Sequence, residues 1–419
     1  MRKLYEGLRM AAIAHARWEM EMSQNILKSK KRLLILGVML LPIILVSIAF
    51  AADLPAILGG KKAYCPAFYS VFVFLVSIVI GLIAGLITGC IGAGGGFIIT
   101  PALMSAGVKG ILAVGTDLFH IFAKAIMGTA VHRKLGNVSL GLAVTFVVGS
   151  LIGVSVGGII NRALYAISPV LSDAFISGVY VFMLGFLGFY AMYDFLKLRK
   201  AGKEVTAHDG GVPKGAVATT GIAMKLQSVN IPPKIAFDFD LVAGGRRLPA
   251  IFVASCGGIV GFVAAIMGVG GGFLTFPMFV YLLGVSSFTT VGTDILQIIF
   301  TAGYASISQY AIYGFIFYTL ATGMLLGSLI GIQVGALTTK VVRGMYIRGF
   351  YATAIIAGFL NRLLALPSKL RGLEVLPISK SLADFLNTAG TIIFFAIVGT
   401  FAVWVISKFL GNLRKLKEG

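Results

Sequence analysis

The sequence predicts an all-α polytopic membrane protein made of two inverted repeats of about five membrane segments each, with helices broken at glycine-rich motifs and extra N- and C-terminal helices. Three observations carry that prediction. Of 419 residues, 58% are hydrophobic and only 12% charged, where soluble domains carry about a quarter charged residues. A stretch at residues 91–118, IGAGGGFIITPALMSAGVKGILAVGTDL, returns at 267–295 as MGVGGGFLTFPMFVYLLGVSSFTTVGTDI. The net charge of +20 is gathered largely in tails and loops, as membrane orientation requires, so it does not point to a nucleic-acid partner.

The duplication extends past the glycine device. Residues 149–157 (GSLIGVSVG) are answered by 327–335 (GSLIGIQVG), displaced by 178 residues, where the glycine clusters, Gly92 against Gly268, are displaced by 176. Residues 68–196 and 248–366 are therefore two copies of one unit. A long internal repeat in an apolar chain is a mark of secondary transporters.

Taken in order, residues 1–32 hold eight Lys or Arg and three Glu, with Leu4, Leu8, Ala11, His15, Trp18, Met22 and Ile26 at helical spacing. This is a basic amphipathic helix suited to an anionic membrane surface. Residues 33–52 are an uncharged membrane anchor, although their Ala-Phe-Ala-Ala end also resembles a signal peptidase site. Spans of near bilayer length follow at 68–89, 113–131, 138–160 and 174–196, then at 248–267, 291–309, 315–337, 345–364 and 385–408. Residues 97–106 and 273–283 are too short to cross alone.

Charge decides how those short pieces count. If both are net crossings, then His132, Arg133 and Lys134, the loop 197–247 with nine Lys or Arg against four Asp or Glu, and the basic tail all fall inside. The first repeat then enters from outside and the second from inside, which makes them inverted. Arg362, Lys369 and Arg371 fall outside on this count, against the rule. The central loop reads as a linker in which Ile235-Ala-Phe-Asp forms a short hairpin, and 367–419 is a C-terminal loop, last membrane helix and basic tail.

Within the spans, Gly81, Gly85 and Gly89, then Gly149, Gly153 and Gly157, and again Gly327, Gly331 and Gly335 recur every four residues. Each set makes a flat ridge for close helix packing. The clusters Gly92, Gly94, Gly95, Gly96 and Gly268, Gly270, Gly271, Gly272 are of another kind. Consecutive glycines unwind a helix, and free amides at membrane depth persist only where protein buries them or where they line a wet cavity. A helix restarting there aims its positive end at that cavity, which makes an anion site; the competing reading is a kink for packing alone.

Ionisable residues inside a span are the second signal. Asp117, His120 and Lys124 share one helix face, and the second copy has Asp294, Gln297 and Thr301 there. Lys124 is the candidate counter-charge for a substrate. Asp117, His120 and Asp294 are candidates for carrying a coupled ion. Against this stands a structural reading in which both Asp residues cap helices after a Gly-Thr turn and Lys124 pairs with Asp117. Thr116 and Thr293 either line the site or cap a helix. Cys65, Cys90 and Cys256 have no metal-ligand spacing, and no hydrolytic, redox or cofactor motif is present.

At GAGGGFIITPAL with GTDLFHIFAKAIMGTAVHRKLGNV, and at GVGGGFLTFPMF with VGTD, the chain resembles the TauE/SafE sulfite exporter family, also called the toluene sulfonate uptake permease group. The resemblance implies a multi-pass carrier of the bacterial plasma membrane that moves small sulfur-containing anions without cofactor or ATP. It places the family's glycine-rich element on residues 92–101 and 268–277 and its Thr-Asp on Thr116-Asp117 and Thr293-Asp294. The extended basic N-terminus, the central loop and the segment after residue 366 depart from the family pattern. The function expected is secondary transport of a sulfur-containing anion, in the export direction, by alternating access of the two repeats. A passive anion channel, or a membrane scaffold signalling through the N-terminal helix, is the alternative. The expected partners are the anion, the lipid bilayer and, as an open question, further copies of the chain.

Overall fold

The computed structural model describes residues 55–62, 71–91, 95–134, 139–200, 221–238, 245–339, 341–342 and 344–412. The amphipathic segment 1–32, the anchor 33–52, Gly92, Gly94 and the basic tail lie outside the described residues. Among those described, eight helices are long and apolar enough to cross a membrane. The protein is an all-α polytopic membrane protein with one small hairpin.

The first repeat contains α1 (Val71–Ile91), α2 (Gly96–Ser105), α3 (Gly110–Lys134), α4 (Leu140–Ile167) and α5 (Pro169–Lys200). After α6 (Gly221–Ser228), strands β1 (Lys234–Phe237) and β2 (Arg246–Pro249) pair antiparallel, with Ile235 opposite Leu248. This is the hairpin expected in the central loop, and it takes over residues 248 and 249 from the expected span. The second repeat follows as α7 (Ala250–Met267), α8 (Gly272–Pro277), α9 (Ser287–Tyr304), α10 (Tyr318–Thr338) and α11 (Gly344–Gly372), and α12 (Lys380–Gly411) closes the chain.

Helix α2 has 10 residues, about 15 Å at the usual rise, roughly half of the hydrocarbon thickness. Pro101 lies inside it and can give no N–H to the helix ladder. In α8 the corresponding Pro277 is followed by a π-helical stretch, Met278–Leu283. The α helices expected at 113–131 and 291–309 begin earlier, at Gly110 and Ser287. Gly115-Thr116-Asp117 and Gly292-Thr293-Asp294 consequently lie within helices, and neither Asp is a cap. Helices α5 and α11 also outrun their expected bounds, α11 continuing through Pro367.

The glycine ridges are the seams of the molecule. Helix α1 packs along α10 and α4 along α7. A Cβ on Gly81, Gly85 or Gly89 would fall 2.1–2.6 Å from the carbonyl oxygen of Met324, Ser328 or Ile332, and one on Gly149 or Gly153 would fall 1.8–2.0 Å from that of Ala254 or Gly258. Side chains there are excluded by opposing backbone, so the helices lie in contact along the lines that the four-residue spacing set. The exchange is reciprocal. The first helix of each repeat takes the fourth of the other, while α3 packs on α9 and α5 on α11.

Contacts between loops sort the helix ends into two groups. At one end Tyr318 donates to Leu58 O at 2.8 Å, Lys109 reaches Tyr165 and Lys369 pairs with Asp173. At the other, Gln227 donates to Leu283 O, Ser286 bonds Asp238, and Asp238 pairs with Arg246. Helices α1 and α2 thus form a hairpin that leaves from and returns toward the first end, and α7 with α8 does the same from the second.

The cations that broke the positive-inside rule have structural partners. Lys369 Nζ lies 3.0 Å from Asp173 Oδ2, whose other oxygen accepts the Gly110 N–H at 2.7 Å and so caps α3. Arg371 donates to Ile378 O. Lys369 is only part-buried, so Lys369→Ala should cost below about 1 kcal/mol. Asp173→Ala, which also uncaps α3, should cost about 1 kcal/mol more. Thermal unfolding midpoints in one detergent test that ranking.

Candidate functional site

The two helix breaks meet in the interior. Gly95, with φ of 61°, holds the left-handed backbone that starts α2; Gly268, with φ of 81°, ends α7, and Gly270 and Gly271, with φ of 64° and 88°, lead into α8. A Cβ on Gly95 would lie 2.7 Å from Thr88 Oγ1 and 2.8 Å from Ala84 O, so both the backbone and the space demand glycine. Gly96 faces the backbone of Val269 in the other break, a Cβ there falling 3.0 Å from its Cα. Phe97 and Phe273, the residues after the two clusters, have ring centroids 6.5 Å apart. The side chains of Ile121, Val260 and Ile298 close over the glycines.

Helix α3 brings Asp117, His120 and Lys124 to the first break. Asp117 and His120 are fully buried. Thr100 Oγ1, from α2, donates to Asp117 Oδ2 at 3.1 Å. His120 Nε2 lies 2.9 Å from Ser328 Oγ on α10, and His120 Nδ1 lies 3.7 Å from Asp117 Oδ1. Lys124 Nζ reaches Thr88 Oγ1 at 3.4 Å, and Thr88 is the residue against Gly95. The cation therefore stands one hydroxyl away from the backbone turn that begins α2.

The second copy keeps the layout and the Asp but replaces the His and Lys with Gln297 and Thr301. Gln297 Nε2 donates to Asp294 Oδ1 at 2.8 Å and lies 3.4 Å from Thr275 Oγ1; Gln297 Oε1 accepts from Thr301 at 2.8 Å. Thr301 in turn meets Ser150 Oγ at 2.8 Å. Ser150 and Ser328 are the serines of the duplicated GSLIG motif, so each nest is completed by the fourth helix of the opposite repeat. Asp294 stands beside Gly272, where a Cβ would fall 3.2 Å from its Oδ2.

Thr116 and Thr293 serve the capping role. Thr116 Oγ1 accepts the Phe317 N–H at 2.9 Å, just before α10, and Thr293 Oγ1 accepts the Ser139 N–H at 3.0 Å, just before α4. Each hydroxyl supplies an acceptor where a helix begins in the other repeat.

Residue reading passed over Thr88, Thr100, Ser328 and Tyr180 and left Arg362 unexplained. The serine had a signal, since Ser150 and Ser328 are the same position of a repeated motif. Tyr180 Oη donates to Met267 O at 2.6 Å and so fixes the last residue before the second break. Arg362 is 2% exposed and gives its protons to Asn361 Oδ1, Ser105 Oγ and Pro101 O at 2.8, 2.7 and 3.3 Å. Its charge thus sits at the C-terminal, partly negative end of α2. That placement accounts for a cation that the topology rule put on the wrong side. Among the described residues no cluster of three or more His, Cys, Asp or Glu could hold a metal.

Broken helices meeting inside a bundle of paired repeats, with charged residues gathered on the break, define a membrane transporter. The family model "Sulfite exporter TauE/SafE" matches residues 76–362, and the chain belongs to that family of membrane transporters. It is 23% identical over 272 residues to "Probable membrane transporter protein YjnA" of Bacillus subtilis (strain 168), covering 64% of this chain and 89% of that protein. No solved structure matches the chain. Family and spans together make it a multi-pass membrane protein, consistent with a bacterial plasma membrane.

Proposed function

We propose that the protein is a secondary carrier of a small sulfur-containing anion, such as sulfite or an organosulfonate, that works by alternating access between two inverted halves and acts in the export direction. The carrying observation is the meeting of the two glycine breaks, with Lys124 one hydroxyl away from the start of α2. The first turn of a helix leaves N–H groups without internal partners and concentrates positive potential. Together with a lysine, those amides suit an oxyanion.

The inverted reading is supported by α1 and α7 starting from opposite ends of the bundle and by the reciprocal pairing of α1 with α10 and α4 with α7. Carriage through the bilayer fits the buried residues, which among those described offer positioned donors and the cations Lys124 and Arg362. The substrate class rests on the family, the TauE/SafE sulfite exporters.

The test is flux in proteoliposomes with sulfite, sulfate, thiosulfate, sulfoacetate and taurine. Saturable uptake, accelerated when the same anion is preloaded on the far side, is expected for at least one of them. An unsaturating, ohmic current makes the protein a channel. No movement of any of the five removes the reading.

A further inference from the structure

The nests around Asp117 and Asp294 differ in one respect that chemistry makes decisive. In the second nest, Gln297 gives a fixed amide proton to Asp294 Oδ1 at 2.8 Å. In the first, Asp117 Oδ1 and His120 Nδ1 face each other at 3.7 Å, and both are buried without a hydrogen-bond partner. Orphaned buried polar atoms are costly, at about 1–3 kcal/mol each. The Ser328 hydroxyl has an acceptor of its own, Leu325 O at 3.2 Å, which leaves His120 Nε2 to donate to Ser328 Oγ at 2.9 Å. Neutral His120 then carries a lone pair on Nδ1, aimed at a carboxylate oxygen. Two acceptors confront each other across a gap that one proton would satisfy.

We propose that Asp117 and His120 form a proton-binding site that loads one proton between Asp117 Oδ1 and His120 Nδ1, and that this proton travels in the same direction as the anion. This deepens the carrier reading and rests on it for what the proton accompanies. Charge balance supplies the coupling. With the pair unprotonated, the Asp117 carboxylate offsets Lys124, which lies within its electrostatic reach. When the proton binds, the pair becomes neutral and the Lys124 charge is left for an anion. Empty and loaded sites are then both neutral, which favours passage of either through a low-dielectric interior. By linkage, protonation raises anion affinity and the anion raises proton affinity by the same factor.

No neighbouring group takes over this role. Tyr180 on α5 lies within electrostatic reach of Asp117 and Arg362, but its hydroxyl donates to Met267 O. Tyr310, after α9, donates to Ala265 O, Asp173 is held by Lys369 and Gly110, and Asp294 takes its bond from Gln297. Among the described residues, α2 and α10 bring the hydroxyls of Thr100 and Ser328 to the site.

The experiment uses the full chain in proteoliposomes with an internal pH dye and methanesulfonate, an anion that carries no proton of its own at neutral pH. Wild-type protein should move protons with the anion, in the same direction, and Asp117→Asn should lose the proton signal. Proton movement against the anion, anion movement without protons, or proton movement retained in Asp117→Asn overturns the proposal while leaving an anion carrier standing. If methanesulfonate is not carried, infrared difference spectra on acidification of the purified protein decide. A carboxylic-acid band present in wild type, lost in Asp117→Asn and altered in His120→Gln, supports the site. A spectrum that Asp117→Asn leaves unchanged overturns it.

Discussion

Lys124→Ala is expected to abolish measurable anion transport while the protein still inserts and purifies as a single species. The reason is local. Lys124 is the cation that α3 carries to the first break, and through Thr88 it touches the turn at Gly95. Truncating one member of a buried, hydrogen-bonded charge pair costs about 2–5 kcal/mol, a weakening of roughly 30-fold or more. Stability should suffer less, because the Thr88 hydroxyl that Lys124 reaches also donates to Ala84 O at 2.8 Å. Lys124→Arg should recover only part of the activity, since a planar fork replaces a compact ammonium. Unchanged affinity and flux in Lys124→Ala would take the lysine out of the site.

Gly153→Ala should be among the most destabilising single methyl additions in the molecule. Its Cβ would lie 2.0 Å from Gly258 O and 2.7 Å from Phe262 N, so the obstacle is backbone on the facing helix and no rotamer relieves it. Ordinary overpacking costs about 1–3 kcal/mol, and a clash with rigid backbone should exceed that. Gly178→Ala is the matched control. It also adds a methyl within a helix, but nothing lies within 4 Å, so it should be neutral or stabilise by up to about 1 kcal/mol through helix propensity. Equal melting temperatures for the two variants would contradict close packing of α4 on α7.

Most of the architecture was legible because membranes leave few options. Hydrophobic length announced the spans, glycine spacing announced the seams, and the doubled motif announced that two halves must fit each other. Helix starts were misplaced where the sequence turns polar near Gly115-Thr116-Asp117 and Gly292-Thr293-Asp294. Gly115-Thr116-Asp117 looks like a turn with a cap, yet it lies inside α3 because Thr100 and His120 accompany the carboxylate and Phe317 N–H takes up the Thr116 oxygen. Residue-by-residue reading found the Asp, His and Lys, which share a face of one helix. It missed Thr88, Thr100 and Tyr180 and left Arg362 unexplained, because their partners on other helices have no signature along the chain. The three cations that defied the orientation rule illustrate the same limit, since Asp173, Pro101 O and Ile378 O are neighbours only in space.

The crossed caps have a mechanical corollary. Thr116 ties the helix that carries the Asp–His–Lys set to the start of α10, and Thr293 ties its counterpart to the start of α4. Helices α10 and α4 are in turn zipped by glycine to α1 and α7, the arms that end at the breaks. A tilt of α3 therefore tugs on the arm leading to its own glycine turn by way of the opposite half, and the same linkage runs from α9. Hydrogen bonds and glycine seams thus tie each half to the other.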